Sequence, residues 1–134
     1  MPTPLRIQRI ADRIREELSE MVVREISDPR LSGISITGTK VDRELTYADI
    51  FVSAVEGHER EAEVLEGLKH ASGFLRHQLA ERIELRVFPR LRFHWDPTPE
   101  RADHIERLLA ELREQSPSAP ADVPEEVDES KDDD

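Results

Sequence analysis

Apolar residues recur at intervals of three and four along the start of the chain, at Ile7, Ile10, Ala11, Ile14, Leu18, Met21 and Val22. That spacing lines one face of a helix of about 18 residues, from Arg6 to Val23. Asp28-Pro29 closes it, because proline disfavours the α conformation of the residue before it. The period then changes. "ISITGTKV" (34–41) is β-branched and partly alternating, with Gly38 as a candidate bulge. "TYADIFVSAV" (46–55) sets Ala48, Ile50, Val52 and Ala54 on one side and Tyr47, Asp49, Phe51 and Ser53 on the other. The polar "DREL" between the two runs makes them an antiparallel hairpin.

Helical spacing resumes near Arg60 with Val64, Leu65, Leu68 and Ala71, and continues through Phe74, Leu75 and Leu79. "LRVFPRLRF" (85–93) alternates again, with Leu85, Val87, Leu91 and Phe93 on one side and Arg86, Phe88, Arg90 and Arg92 on the other. Pro89 within it demotes the run to an edge or bulged strand. Thr98 and Pro99 can start a last helix, whose stripe is Ala102, Ile105, Leu108, Leu109 and Leu112. After Gln115 the chain turns to proline, serine, alanine and acids, and no core can form there. Residues 1–115 thus read as one α+β domain and 116–134 as a disordered acidic tail.

Composition narrows the possible roles. Hydrophobic and charged residues each make up 37% of 134, and no apolar run approaches the roughly 20 residues that span a bilayer. "MPTPLRIQRI" lacks the apolar block of a signal peptide, so the cytoplasm is the expected location. Cysteine is absent, which excludes thiol catalysis and thiolate metal sites. The net charge of −11 is uneven: residues 116–134 hold eight acids and one base, leaving −4 for the rest. Such a tail can compete with a nucleic acid for basic residues, or serve only as a solubilising segment.

The interruption of the middle helix at "HASG" (70–73) is the most unusual local feature. Gly73 is the costliest ordinary residue in a helix interior, yet the apolar stripe continues on both sides, which describes a kink. Small residues there admit close backbone packing, or close approach of a ligand. A helix restarting after the kink would offer unpaired N–H groups to a phosphate, flanked by Lys69, His70 and Arg76. Arg86, Arg90 and Arg92 with Phe88 form a strip suited to holding phosphates and stacking bases, or an ordinary solvated sheet face. Arg6, Arg9 and Arg13 share a helix face followed by Glu16, Glu17 and Glu20, which reads more simply as a solvated surface. Arg30 and Arg43 are loop charges within reach of a phosphate.

No feature supports catalysis or a metal. The acids are scattered, "HASGF" is not a nucleophile elbow, and His70 and His77 stand seven residues apart with no HExxH pattern.

The order α-β-β-α-α-β with a special helix junction resembles a type II KH domain, although the GxxG signature is absent. Within that class the chain resembles the ribosome-binding factor A family, which carries Ala-x-Gly where the loop would be. Here that is Ala71-Ser72-Gly73 in "ASGFLR", accompanied by "REISDPRL" (24–31), "RELTYADIFVS" (43–53) and "LRVFPRLRFHWD" (85–96). The resemblance runs from about residue 3 to residue 112. It implies a monomeric, non-catalytic KH-like domain, α-β-β-α-kink-α-β with an added C-terminal helix, that needs no cofactor. It further implies binding of the free small ribosomal subunit through 16S rRNA and a part in late rRNA processing. RNA-binding residues would be Lys69, His70, Ala71, Ser72, Gly73, Arg76, Arg86, Phe88, Arg90, Arg92, Arg30 and Arg43. Two rivals remain: a general single-strand nucleic-acid binder, which should take short oligonucleotides equally well, and a protein-interaction module using a sheet edge or the last helix.

Overall fold

The computed structural model describes residues 2–115; the acidic tail expected at 116–134 lies outside the described residues. Helix α1 spans Pro4–Arg24, longer at both ends than the apolar spacing requires. Thr3 caps it, its hydroxyl oxygen accepting the Arg6 N–H at 3.1 Å, with Pro4 at the first helical position. The expected face buries Ile10, Ala11, Ile14, Leu18, Met21 and Val22, while Val23 stays 75% exposed. Beyond Glu25 the chain makes a 3₁₀ turn, Pro29–Leu31.

Strands β1 (Ile34–Val41) and β2 (Tyr47–Ala54) form the expected antiparallel hairpin. The bulge expected at Gly38 is present as a register shift between Ile36 and Gly38, with Thr37 the extra residue. The Asp42 carboxylate accepts the Thr46 and Tyr47 N–H groups at 2.8 and 2.6 Å and so shapes the hairpin turn. These bonds, the one from Tyr47 foremost, hold its carboxyl below the usual range.

A second 3₁₀ turn, His58–Arg60, leads into helix α2, Glu61–Arg82. The two helical segments expected on either side of Ser72-Gly73 belong to this one helix, so no second helix start opens at residue 73. Leu75 and Leu79 are fully buried as expected, but Phe74 is not: 46% of it is exposed. It sits one residue, about 100°, off the buried face.

Strand β3 is Arg90–Trp95, parallel to β2 and on the sheet edge, giving the order β1-β2-β3. Its start differs from the expectation. Residues 85–89 are not strand, so period-two alternation does not govern them: Val87 is 68% exposed and Phe88 is buried. Pro89, which has no N–H to give a ladder, marks the change, and Arg90 begins the pairing by donating to the Thr46 carbonyl at 2.9 Å. From there the expected sides hold, with Leu91 and Phe93 against the core and Arg90 and Arg92 exposed.

Ala48, Ile50 and Val52 give β2 a fully buried face, against which α1 and α2 place Ile14, Leu18, Leu68, Leu75 and Leu79 in one core. Arg82 near the end of α2 ties the two helices together, pairing with Glu17 and Glu25, while Arg13 donates to the Arg82 carbonyl at 3.0 Å.

The chain divides between Pro97 and Thr98 into two compact units. The second contains helix α3, Thr98–Gln115, whose expected apolar stripe forms without any buried residue; Ile105, Leu108, Leu109 and Leu112 are 45–59% exposed.

Candidate nucleic-acid interface

Two open clefts flank α2, and the expected site residues divide between them. The first, of about 550 Å³, lies where the start of α1, the β1–β2 turn, α2 and the segment before β3 converge. It is lined by Arg6, Tyr47, Arg76, Arg86 and Arg90, with Phe88 at its wall and Glu44 as its one acid. Arg6, Arg86 and Arg90 are exposed and pair with no carboxylate among the described residues. Guanidinium groups held unpaired around a concavity suit forked contacts to phosphate oxygens.

Arg76 does different work. Its Nε donates to the Pro89 carbonyl at 3.1 Å and its Nη2 to the Phe88 carbonyl at 2.6 Å. It thereby holds the irregular 85–89 segment against α2 and sets the positions of Arg86 and Arg90. Phe88 cannot stack on a base as expected, because only 6% of it is exposed and its ring belongs to the core. Tyr47 was not singled out by sequence, and Arg6 reads more simply there as part of a solvated helix face. Arg6 was hidden among other charges on one helix face, and only the fold brings the first turn of α1 beside the hairpin turn. Arg43 is exposed in that turn but does not line the cleft.

The second cleft, of about 580 Å³, runs between the segment Glu25–Arg30 and α2, and is lined there by His70, Ala71 and Phe74. Phe74 and Arg76 are two residues apart, about 200° around the helix axis, which is why α2 serves both clefts. Arg30 reaches the second cleft already paired: its Nε and Nη2 donate to the Asp28 carboxylate at 2.8–3.1 Å. Those side-chain bonds hold the Asp28 carboxyl below its ordinary range and raise the Arg30 guanidinium. Arg60 fixes the same segment from behind, donating to the Arg30 carbonyl at 2.8 Å and to the Ser32 carbonyl.

Close approach of Arg30 to α2 depends on a glycine that the sequence did not mark. A Cβ at Gly67 would lie 3.0 Å from Leu31 Cδ2 and 3.2 Å from Arg30 Cβ. At Gly73 a Cβ would meet nothing within 4 Å. Internal packing therefore explains Gly67 and does not explain Gly73, which is exposed beside the second cleft. Lys69 and His70 are exposed one turn earlier on α2, Ser72 is half-buried, and Ala71 packs partly against the core.

Arg92 belongs to neither cleft. It donates to Asp49 Oδ1 and Oδ2 at 2.9 and 3.1 Å on the sheet face turned away from α1 and α2, and its guanidinium lies 3.9 Å from the centre of the Tyr47 ring. Burial pushes the Asp49 carboxyl up, but the bonds from Arg92 and His94 outweigh it and hold the group below its usual range.

The comparisons with known proteins agree with this architecture. The family model of ribosome-binding factor A matches residues 6–109. Ribosome-binding factor A of Nitrosomonas europaea is 45% identical over 106 residues, 79% of this chain and 91% of that one. The crystal structure of ribosome-binding factor A from Thermus thermophilus superposes with a TM-score of 0.60 at 24% identity, over 66% of this chain and 93% of that chain. A Thermus thermophilus homology model fitted into the cryo-EM map of a 30S–RbfA complex gives a TM-score of 0.52 at 26% identity, over 62% of this chain and 87% of that chain. The three-stranded sheet with its parallel edge strand, the element order and the sequence match agree, and the chain belongs to the ribosome-binding factor A family.

Proposed function

We propose that this chain is a non-catalytic assembly factor that binds the free small ribosomal subunit through 16S rRNA and aids late rRNA processing. The observation that carries the reading is the first cleft, where Arg6, Arg86 and Arg90 stand unpaired on a chain whose net charge is −11. Arg76 positions two of them. The second cleft adds His70, Ala71 and the exposed Phe74 ring, and the open space over Gly73 on the same helix lets a ribose-phosphate backbone approach α2 closely. The 30S complex of the Thermus thermophilus relative supports the partner. Lys69 and Arg43 act as peripheral phosphate contacts, whereas Arg30 and Phe88 serve the fold that shapes the clefts.

The mechanism is positional. Binding favours the rRNA conformer that fits both clefts and so shifts the population of an unfinished subunit toward it. The factor acts as a cytoplasmic monomer without a cofactor; no helix among the described residues is long and apolar enough to cross a membrane.

Co-sedimentation with free small subunits and, in parallel, with complete ribosomes tests the reading. Migration with the free subunit alone, lost as salt is raised, is expected because phosphate contacts release counterions. Absence from both fractions with the protein folded would overturn it.

A further inference from the structure

The sheet face turned away from α1 and α2 carries an ordered cluster of which Lys40, Asp49, Phe51, Arg92 and His94 line neither cleft, while Tyr47 and Arg90 at its edge also line the first. In the strand register Lys40, Asp49 and Arg92 form one row, and Gly38, Phe51 and His94 form the next, with Tyr47 beside Arg90. The Phe51 and His94 rings are stacked, with centroids 5.2 Å apart and planes inclined by 29°. The Phe51 ring lies beside Gly38, where a Cβ would make only ordinary contact with it, 4.0 Å from Cδ2. The Asp49 carboxylate anchors the group, receiving Arg92 and lying 2.7 Å from His94 Nε2. Arg92 in turn covers Tyr47.

A purely structural account is that the cluster staples β2 to β3. Exposed ion pairs add little stability, however, and this arrangement leaves 43% of the His94 side chain and 50% of that of Arg92 in solvent. Arg92 is taken by Asp49 and Asp42 lies close to it, but Lys40 and Arg90 pair with no carboxylate among the described residues. Flat rings fixed in place beside cations match one class of partner in both shape and charge: unpaired nucleobases on a phosphate backbone.

We propose that this open sheet face is a second RNA contact, on which Phe51 and His94 stack unpaired bases while Lys40 and Arg90 meet the adjacent phosphates. The inference rests on the rRNA-binding reading and adds to it a preference for single-stranded segments, held on a sheet face that adjoins the first cleft at Tyr47 and Arg90. Asp49 is a positioning residue here, fixing the planes of His94 and Arg92.

The test uses the full chain and a fluorescein-labelled oligouridylate, with a duplex of the same length as competitor. His94→Ala should weaken oligouridylate binding by roughly fivefold or more, the scale of losing one stacked base. His94→Phe keeps a ring while dropping the bond to Asp49, and should restore most of the binding that His94→Ala loses. Phe51→Leu, which keeps apolar bulk over Gly38, should weaken binding as well and serves if His94→Ala fails to fold. The duplex should compete poorly. Unchanged binding by His94→Ala and Phe51→Leu, a loss that His94→Phe does not restore, or equal affinity for the duplex would each overturn the proposal. So would failure of the parent to bind the oligouridylate, leaving the face to a protein partner. Co-sedimentation of the parent with free subunits reports separately on the function itself, so the two readings can fail independently.

Discussion

Replacing Gly73 by alanine separates the two explanations for a glycine in the middle of α2. The helix runs through this position and a Cβ there meets nothing within 4 Å, so the methyl group adds no clash. Alanine is favoured over glycine in a helix interior by about 0.8–1.0 kcal/mol. For a folded unit the size of Met1–Pro97, that gain raises Tm by roughly 4–8 °C. If the glycine exists to let an RNA backbone come close, the same change should weaken binding to free small subunits severalfold. Far-ultraviolet circular dichroism on heating reads the first effect, and co-sedimentation at constant low salt reads the second. Gly67→Ala is the control, because its methyl would press on Leu31 Cδ2 at 3.0 Å and Arg30 Cβ at 3.2 Å. Overpacking of that kind costs about 1–3 kcal/mol, more than the propensity gain of about 1 kcal/mol, so Gly67→Ala should lower Tm. A fall in Tm for Gly73→Ala would refute the open, continuous helix at residue 73. A rise in Tm with unchanged subunit binding would refute the ligand role of Gly73.

The remaining predictions address the charged groups. Arg86→Glu and Arg90→Glu should leave Tm within about 2–4 °C of the parent, as expected for exposed sites whose substitution moves stability by about 0.5 kcal/mol or less. Each should weaken subunit binding and flatten its salt dependence by about one phosphate contact; parental binding by both would remove the first cleft from the site. Arg76→Ala should behave differently, losing about 1–3 kcal/mol of stability in urea titration because two carbonyls lose a charged donor. Parental stability would show that Arg76 does not hold the 85–89 segment. Asp49 stabilises the fold through a depressed pKa, so its contribution is present above the unfolded carboxyl value near 3.9 and is lost as pH falls through the lower folded value. Asp49→Asn should therefore be less stable than the parent at neutral pH, with the gap closing below about pH 4; a gap independent of pH would contradict the assignment. Removing residues 116–134, which carry eight acids against one base, should tighten RNA binding at low salt if the tail competes for the arginines. Unchanged affinity sinks that competition.

Much of the architecture was legible in the sequence because local periodicity reports directly on local backbone. The three- and four-residue spacing from Ile7 to Val22 marked the buried face of α1, alternation around Ile50 marked the core side of β2, and Gly38 marked the bulge. "ASGFLR" and its companion stretches pointed to the family that the match over residues 6–109 shows. The site was less legible, since its residues come from elements far apart in the chain. Arg86, Phe88, Arg90 and Arg92 look equivalent as an alternating strip, yet only tertiary packing decided their separate fates. Pro89 ended the alternation and turned Phe88 into the core, while Asp49, 43 residues before Arg92, took that guanidinium out of the cleft. Arg6 joined the cleft only because α1 starts beside the hairpin turn. The two glycines of α2 look equally out of place in the sequence. Distance to Leu31 and Arg30 makes Gly67 a packing requirement, whereas the empty space at Gly73 shows that packing does not require a glycine there. Periodicity specifies which way a residue faces on its own element; what it meets there depends on contacts that no local pattern contains.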